Sequence, residues 1–256
     1  MNHILITGAS SGIGEALALH YAAPGRRLSL LGRNAERTEG VAAQCRAKGA
    51  DVSAISQDVQ DASGMASWIQ RCDATQPLDL VIANAGVSAG SGGGGESAEQ
   101  TRQIFSINID GTLNTILPAI AHMRSRQRGH IAIMSSIAGF RGLPSAPAYC
   151  ASKAALKVWG EGLRGQLKRQ NIGVSVICPG FVVSGISRRN RFPMPFLMPT
   201  ERAARIISDG IAANRGRIAF PWPMATMAWI MTTLPDRFIG AVTSRLPHKE
   251  ALPPQA

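Results

Sequence analysis

Short apolar runs alternate along the chain with longer stretches whose apolar positions recur at helical spacing. The short runs lie at 3–7, 28–31, 52–56, 78–83, 130–135, 174–178 and 217–220. Most are continuous rather than alternating, as expected of strands buried on both faces. The stretches between them, 13–21, 34–48, 62–75, 99–126, 149–170 and 201–214, read as helices. This β-α-β-α order predicts an α/β fold: a doubly wound parallel sheet with helices on both faces, in three layers. We place that domain at 1–220, with no internal repeat and no linker, followed by an apolar helical appendage at 221–256.

Two segments interrupt the rhythm. Residues 88–97 read SAGSGGGGES, a flexible loop behind the fourth strand. Residues 185–200 read GISRRNRFPMPFLMPT, rich in Pro, Met, Phe and Arg. Both follow the carboxyl end of a strand, the edge of an open parallel sheet where ligands sit.

Charge and cysteine usage narrow the class. The 256 residues carry a formal net charge of +11, unevenly spread: residues 1–100 hold 7 basic and 10 acidic side chains, residues 101–256 hold 20 and 6. A uniformly basic nucleic-acid binder would not begin acidic, and no stripe of interleaved basic and aromatic residues is present, so nucleic acid is not an expected partner. The positive second half suits an anionic ligand, an anionic membrane surface or an acidic partner. Cys45, Cys72, Cys150 and Cys178 form no CxxC pair and no Cys/His cluster at metal-ligand spacing. No metal is therefore expected, and a reduced, cytoplasmic setting is. The first apolar run stops at Gly8, too short for a signal-peptide core, and no stretch approaches the ~18–20 uninterrupted apolar residues of a membrane span.

The residues at the strand ends carry the chemistry. Thr7-Gly8-Ala9-Ser10-Ser11-Gly12-Ile13-Gly14 joins the first strand to the first helix. There Gly8 allows a tight turn, Gly12 lets the backbone approach a phosphate, and Gly14 permits close helix–strand packing, with the pyrophosphate at the positive end of the helix dipole. The second strand ends in Gly32-Arg33-Asn34, with no acidic residue to accept from a ribose hydroxyl. The Arg33 guanidinium can pair with a 2′-phosphate instead, which favours NADP over NAD. Tyr149 and Lys153 stand four apart on a helical pattern and share a face. A phenol with an ordinary pKa of ~10 is a poor acid–base group at neutral pH, and a nearby ammonium is expected to lower it, so that the pair can exchange a proton with a carbonyl or alcohol oxygen. Ser136 ends the fifth strand, and Asn108 lies between Ile107 and Ile109, where a polar amide needs hydrogen-bond partners.

Together these motifs resemble the short-chain dehydrogenase/reductase family, in its common form of this chain length. The likeness covers roughly residues 3–185: TGASSGIG as the glycine motif, Asp58-Val59 after the third strand, Asn84-Ala85-Gly86 after the fourth, Asn108, Ser136, Tyr149 and Lys153 as the catalytic tetrad, and Pro179-Gly180 after the sixth. It implies a Rossmann fold and a nicotinamide cofactor. Gly8, Ser10, Ser11, Gly12, Ile13 and Gly14 would hold the dinucleotide, with Asp58 and Val59 at the adenine and Asn84, Ala85 and Gly86 along the cofactor. Tyr149 would be the general acid or base, and Lys153 would lower its pKa and bind the nicotinamide ribose. Ser136 would donate to the substrate oxygen, and Asn108 would hold a water linking Lys153 to solvent. The backbone of Pro179, Gly180 and Val182 and the Ser184 hydroxyl would anchor the carboxamide. The chain departs from the pattern at Ala83, where many members carry a second Asn, at Ser184, where Thr is commoner, and at Ser11, where some NADP-using members carry a basic residue.

The expected activity is that of an NADP(H)-dependent carbonyl reductase or alcohol dehydrogenase. An NAD-dependent alcohol dehydrogenase and a catalytically silent dinucleotide-binding regulator are the alternatives. The apolar residues 192–198 would cover the site mouth, favouring a hydrophobic ketone or secondary alcohol, and Arg188, Arg189 and Arg191 could meet an anionic group. The family commonly forms dimers or tetramers. The apolar stretches 224–234 and 236–246 need cover, from a subunit interface, from packing over the site, or from peripheral contact of 222–246 with an anionic membrane.

Overall fold

The computed structural model describes residues 1–91, 95–185, 187 and 193–235. Seven strands form one parallel sheet: β1 (His3–Thr7), β2 (Arg27–Gly32), β3 (Asp51–Ser56), β4 (Leu80–Ala83), β5 (Gly129–Met134), β6 (Ile172–Pro179) and β7 (Arg217–Phe220). Their order across the sheet is β3-β2-β1-β4-β5-β6-β7, so the chain winds outward twice from β1. Ile4 pairs with Leu28 on one side and Leu80 on the other. The topological switch point is thus between β1 and β4, the place on the carboxyl edge where open parallel sheets bind their ligands.

The continuous apolar runs are explained by two cores. Ile4, Ile6, Leu28, Leu30, Leu80 and Ile82 point to one face, where they meet α1 (Gly12–Tyr21), α2 (Ala35–Ala47) and α7 (Thr200–Ala212). Their neighbours Leu5, Leu31, Val81, Ala83, Ile131 and Ile133 point to the other, against α3 (Ala62–Thr75), α5 (Gly111–Arg126) and α6 (Pro147–Leu167). Successive side chains leave a strand on opposite sides, so burying both faces requires an unbroken apolar string.

The expected helix at 99–126 is interrupted. α4 (Ala98–Phe105) leads into a π-helical turn over Ser106–Asp110 before α5 begins. The whole run is long and apolar enough by composition to cross a membrane, and half of its most apolar stretch is buried inside the protein. The appendage opens with α8 (Trp222–Thr233), longer at its start than the apolar stretch from 224. Residues 236–256, and with them the stretch expected at 236–246, lie outside the described residues.

At the opposite, amino edge of the sheet two histidines are buried. His3 Nε2 meets Ser29 Oγ at 2.9 Å, and His130 Nε2 meets Ser175 Oγ at 2.9 Å. Burial and the nearby Arg164 cation push the His130 pKa down to about 4. The folded protein therefore refuses a proton that the unfolded chain accepts near pH ~6.5. Stability from this group is complete above that value and is lost as pH falls toward the folded value, a loss of about 3 kcal/mol by pH ~4. His3 and His20 shift in the same direction, again chiefly by burial. We expect the thermal midpoint to fall between neutral pH and mildly acidic pH, and His130→Gln, which cannot titrate, to flatten part of that fall. Parallel curves for the two proteins would show that His130 does not set the acid limit.

Candidate active site

The site is built from the loop between β1 and α1. Gly8 and Gly12 adopt positive φ, +67° and +60°, which only glycine takes without strain. Gly14 is constrained by space: a Cβ there would lie 2.1 Å from the Gly8 carbonyl oxygen. The α1 cap residue Ser11 makes no side-chain cap bond, whereas Asn34, Asp61 and Ser97 cap α2, α3 and α4. The first amides of α1 are thus left for an anion, and the glycines leave the backbone bare beside them. This cradle fits a dinucleotide pyrophosphate.

The neighbouring motifs brace that loop. Asn84 Nδ2 donates to the carbonyls of Thr7 and Gly8 at 3.0 and 3.2 Å, and the amides of Asn84 and Ala85 donate to Thr7 Oγ1 at 3.1 and 3.2 Å. Asn84 therefore acts on the cradle through its side chain. Gly32 ends β2 with Ser10 packed where its side chain would be, and exposed Arg33 follows directly. Asp58 accepts from the Gln60 amide at 2.9 Å, while buried Val59 lies against Gly111. Ser11 and Ile13 open α1. Ser184 Cβ lies 3.1 Å from where a Gly12 Cβ would be, which brings the segment after β6 onto the glycine loop.

The acid–base residues converge at the ends of β4, β5 and α6. The Ser136 and Ser88 hydroxyls stand on the same end of the sheet as the Tyr149 phenol and favour its ionised form. Ser136, 7% exposed, caps the short 3₁₀ turn Ile137–Gly139 by accepting from the Ala138 amide at 3.1 Å, and it donates to the Pro179 carbonyl at 3.3 Å. Gly139 lets that turn close onto α6, since a Cβ would stand 2.7 Å from the Lys153 carbonyl carbon. Lys153 is buried at 4% exposure, with Nζ donating to the Met134 carbonyl at 2.9 Å and lying 5.8 Å from the Tyr149 ring centre. Gly86 is the wall beside it: a Cβ there would lie 2.9 Å from Asn108 Oδ1 and 3.4 Å from Lys153 Nζ.

The electrostatics correct one expectation. Burial pushes the Tyr149 phenol up from its ordinary value, and the hydroxyls of Ser136 and Ser88 only partly oppose it. Burial also pulls the Lys153 ammonium down to about 8. Lys153 spends a donor on Met134 instead of reaching the phenol, so in the protein alone desolvation outweighs the expected attraction. Asn108 is wholly buried in the π turn. Its Oδ1 accepts from the Val87 amide at 2.8 Å, and its Nδ2 donates to the Val87 carbonyl and to Ser152 Oγ, both at 3.0 Å. With both amide hydrogens engaged, Asn108 has only acceptor sites left for a water: Oδ1 and the main-chain carbonyl, which accepts from Thr112 Oγ1 at 2.7 Å, each keep one lone pair.

Behind the site, Gly180 donates to the Phe220 carbonyl at 2.7 Å, and Val182 forms a bridge with Met198. The segment expected over the mouth is thus stitched back at Met198, while Phe196 and Leu197 remain 60% and 43% exposed. Arg188, Arg189, Arg191 and Phe192 lie outside the described residues. Sequence reasoning missed Ser88, Ser152 and Thr7. Thr7 had a signal, as the first residue of the glycine motif, and so had Ser88, two residues beyond Gly86 after β4. Among the described residues no cluster of His, Cys, Asp or Glu could hold a metal ion.

A phosphate cradle at the switch point, with buried Ser136 and Lys153 and half-buried Tyr149 beside it, suits an oxidoreductase that uses a nicotinamide dinucleotide at a CH–OH or C=O group. The family model for short chain dehydrogenases matches residues 2–193. A Myxococcus xanthus protein described as an uncharacterized oxidoreductase is 38% identical over 243 residues, covering 94% of this chain and 96% of that one. An 11-beta-hydroxysteroid dehydrogenase-like protein of Arabidopsis thaliana is 28% identical, covering 93% and 82%. Among solved structures, a short-chain dehydrogenase from Sphingobium yanoikuyae in complex with NADPH superposes with a TM-score of 0.81 at 23% identity, covering 100% of this chain and 98% of that one. The chain belongs to the short-chain dehydrogenase/reductase family.

Proposed function

We propose that the protein is an NADPH-dependent carbonyl reductase, reversible as an alcohol dehydrogenase, acting on a hydrophobic ketone or secondary alcohol. The observation that carries this reading is the meeting of three residues: Tyr149 near the start of α6, buried Lys153 on the same helix face with Nζ 5.8 Å from the Tyr149 ring centre, and buried Ser136 just after β5. A bound nicotinamide would exchange the hydride with the substrate carbon. Tyr149 gives its proton to the substrate oxygen in reduction and takes it back in oxidation. Ser136 orients that oxygen. Lys153, with its lowered pKa, keeps positive charge beside the phenol and is suited to the nicotinamide ribose. Pro179, Gly180 and Val182 lead from the end of β6 to Ser184, which lies against Gly12, and this segment suits the carboxamide. Exposed Phe196 and Leu197 support an apolar substrate.

Preference for NADPH rests on Arg33, exposed beside Ser10 with no carboxylate at the end of β2. Calorimetry with NADPH and NADH on the wild type and Arg33→Ala tests it. We expect NADPH to bind at least ~10-fold tighter than NADH, a difference of about 1.4 kcal/mol, and the gap to close in the variant. Equal affinities in the wild type would reassign the protein to NAD and to oxidation.

The reading includes a homo-oligomer. Trp222, Met227, Trp229 and Ile230 of α8 are 76%, 55%, 55% and 46% exposed, and only Met224 of that helix is buried. A second copy of the chain is the cover we assign to this face; peripheral membrane contact is the competing one.

A further inference from the structure

We propose that Glu96 is a positioning residue for catalysis: its carboxylate, from the segment after β4, pins the first turn of α6 and so sets where the Tyr149 phenol stands. This inference rests on the reading that Tyr149 handles the proton. Tyr149 is the third residue of α6. The first turn of a helix is held least firmly, because its N–H groups find no partner within the helix. In α6 the local remedies are missing. The cap residue Ala146 offers no side-chain acceptor, and Pro147 at the first position has no N–H to be bonded. The first N–H of α6 is therefore that of Ala148, directly before Tyr149, and Glu96 Oε2 accepts from it at 2.9 Å. A carboxylate at this end also meets the positive pole of the helix dipole.

The contacts around this bond make a seam between the segment after β4 and α6. Ala148 is buried with Ala89 and Ile104 in a small apolar cluster, apart from the two cores of the sheet. Ser91 N donates to the Ser145 carbonyl at 2.9 Å, just before α6. Gln100 Nε2 donates to the Gly90 carbonyl at 3.0 Å, and Ser97 accepts from the Gln100 amide at 3.1 Å, so Glu96 is held between braced points. Its second oxygen, Oε1, is buried with no hydrogen-bond partner among the described residues. Burying an unpartnered carboxylate oxygen is costly, and a local serine or threonine cap would satisfy the helix without that cost. What a local cap would not supply is the tie across the seam. Farther down the helix, Lys153 is fixed separately by the Met134 carbonyl, so the placing of the phenol against the ammonium depends on the first turn.

The composition permits a test that needs neither substrate nor cofactor. The chain has two tyrosines, Tyr21 and Tyr149, so labelling with fluorinated tyrosine gives two fluorine resonances, which Tyr149→Phe assigns. Tyr21 lies in α1, across the sheet from α6, and is the internal control. We expect Glu96→Ala to shift or broaden the Tyr149 resonance and to leave that of Tyr21 in place. Glu96→Gln, which keeps an acceptor oxygen for the Ala148 amide, should return the resonance to its wild-type position. Should Glu96→Ala not fold, Glu96→Asp, whose carboxylate falls one methylene short, should move the resonance in the same way. In steady-state assay with NADPH and a panel of apolar ketones, Glu96→Ala should lose at least ~10-fold in kcat at unchanged NADPH affinity, since misplacing a reacting group by ~1 Å can cost about 10²-fold. A Glu96 that only stabilises the helix would lower the melting temperature of Glu96→Ala and leave the Tyr149 resonance where it was. That result would overturn the proposal, as would a wild-type kcat beside a moved resonance. The resonances are read without turnover, so Glu96 can be refuted while Tyr149 remains the proton donor, and wild-type turnover in Tyr149→Phe refutes that donor whatever the resonances show.

Discussion

Tyr149→Phe is expected to lose turnover by about 10²–10⁴-fold while binding NADPH as the wild type does. The substitution removes one oxygen atom from the junction of α6, β5 and the loop after β4, and leaves the glycine cradle untouched. On the proposed reading the cofactor is held chiefly at Gly8, Gly12 and the uncapped start of α1, which the substitution does not touch. The loss should fall on kcat, since the proton moves only in the transition state and the ring still fills its place. A modest loss of stability, about 1 kcal/mol, should accompany it, the usual size of one lost side-chain polar contact. Steady-state assay against a panel of apolar ketones and alcohols, with NADPH binding measured in parallel, separates these effects. Wild-type rates in the variant would remove Tyr149 from the mechanism.

Much of this site was legible because its parts sit at positions that local rules define. Strands β1 and β7 and helix α3 have the bounds that apolar patterning predicts, and the other strands and helices through α7 differ from it by one to a few end residues, except that the one helix expected at 99–126 is two, α4 and α5, joined by the π turn. Glycines at a strand-to-helix turn, and a Tyr and Lys four apart on a helix, follow from periodicity and spacing alone. What spacing could not reveal was long-range pairing. Glu96 caps α6 across fifty-two residues. The direction of the Tyr149 shift depends on how deeply the phenol is buried and where Lys153 points, and neither is a property of the motif. The π turn at Asn108 was hidden for the same reason: a buried amide among isoleucines demands partners, but the pattern does not say that Val87 and Ser152 will be those partners.

The second large effect is expected at Gly14. In Gly14→Ala the new methyl would meet the Gly8 carbonyl oxygen at 2.1 Å and Asn84 Nδ2 at 2.6 Å. Neither neighbour can yield cheaply: the carbonyl belongs to the turn that makes the cradle, and the amide is held by Thr7 and Gly8. The start of α1 must move away from β1, costing about 1–3 kcal/mol or more, and the first amides of α1 leave the position that suits a pyrophosphate. NADPH affinity should fall at least ~10-fold, or about 1.4 kcal/mol, together with the thermal midpoint. Gly40→Ala is the contrasting change. Gly40 lies within α2 with no atom within 4 Å of its missing Cβ, so alanine there should stabilise by about 0.5–1 kcal/mol through helix propensity and leave NADPH binding alone. The two variants make the same chemical change in helices on the same face of the sheet. If they behaved alike, Gly14 would be no more than a residue of low helix propensity. Opposite signs would show that Gly14 is required by the close approach of α1 to the turn, the same approach that presents the helix amides to the cofactor.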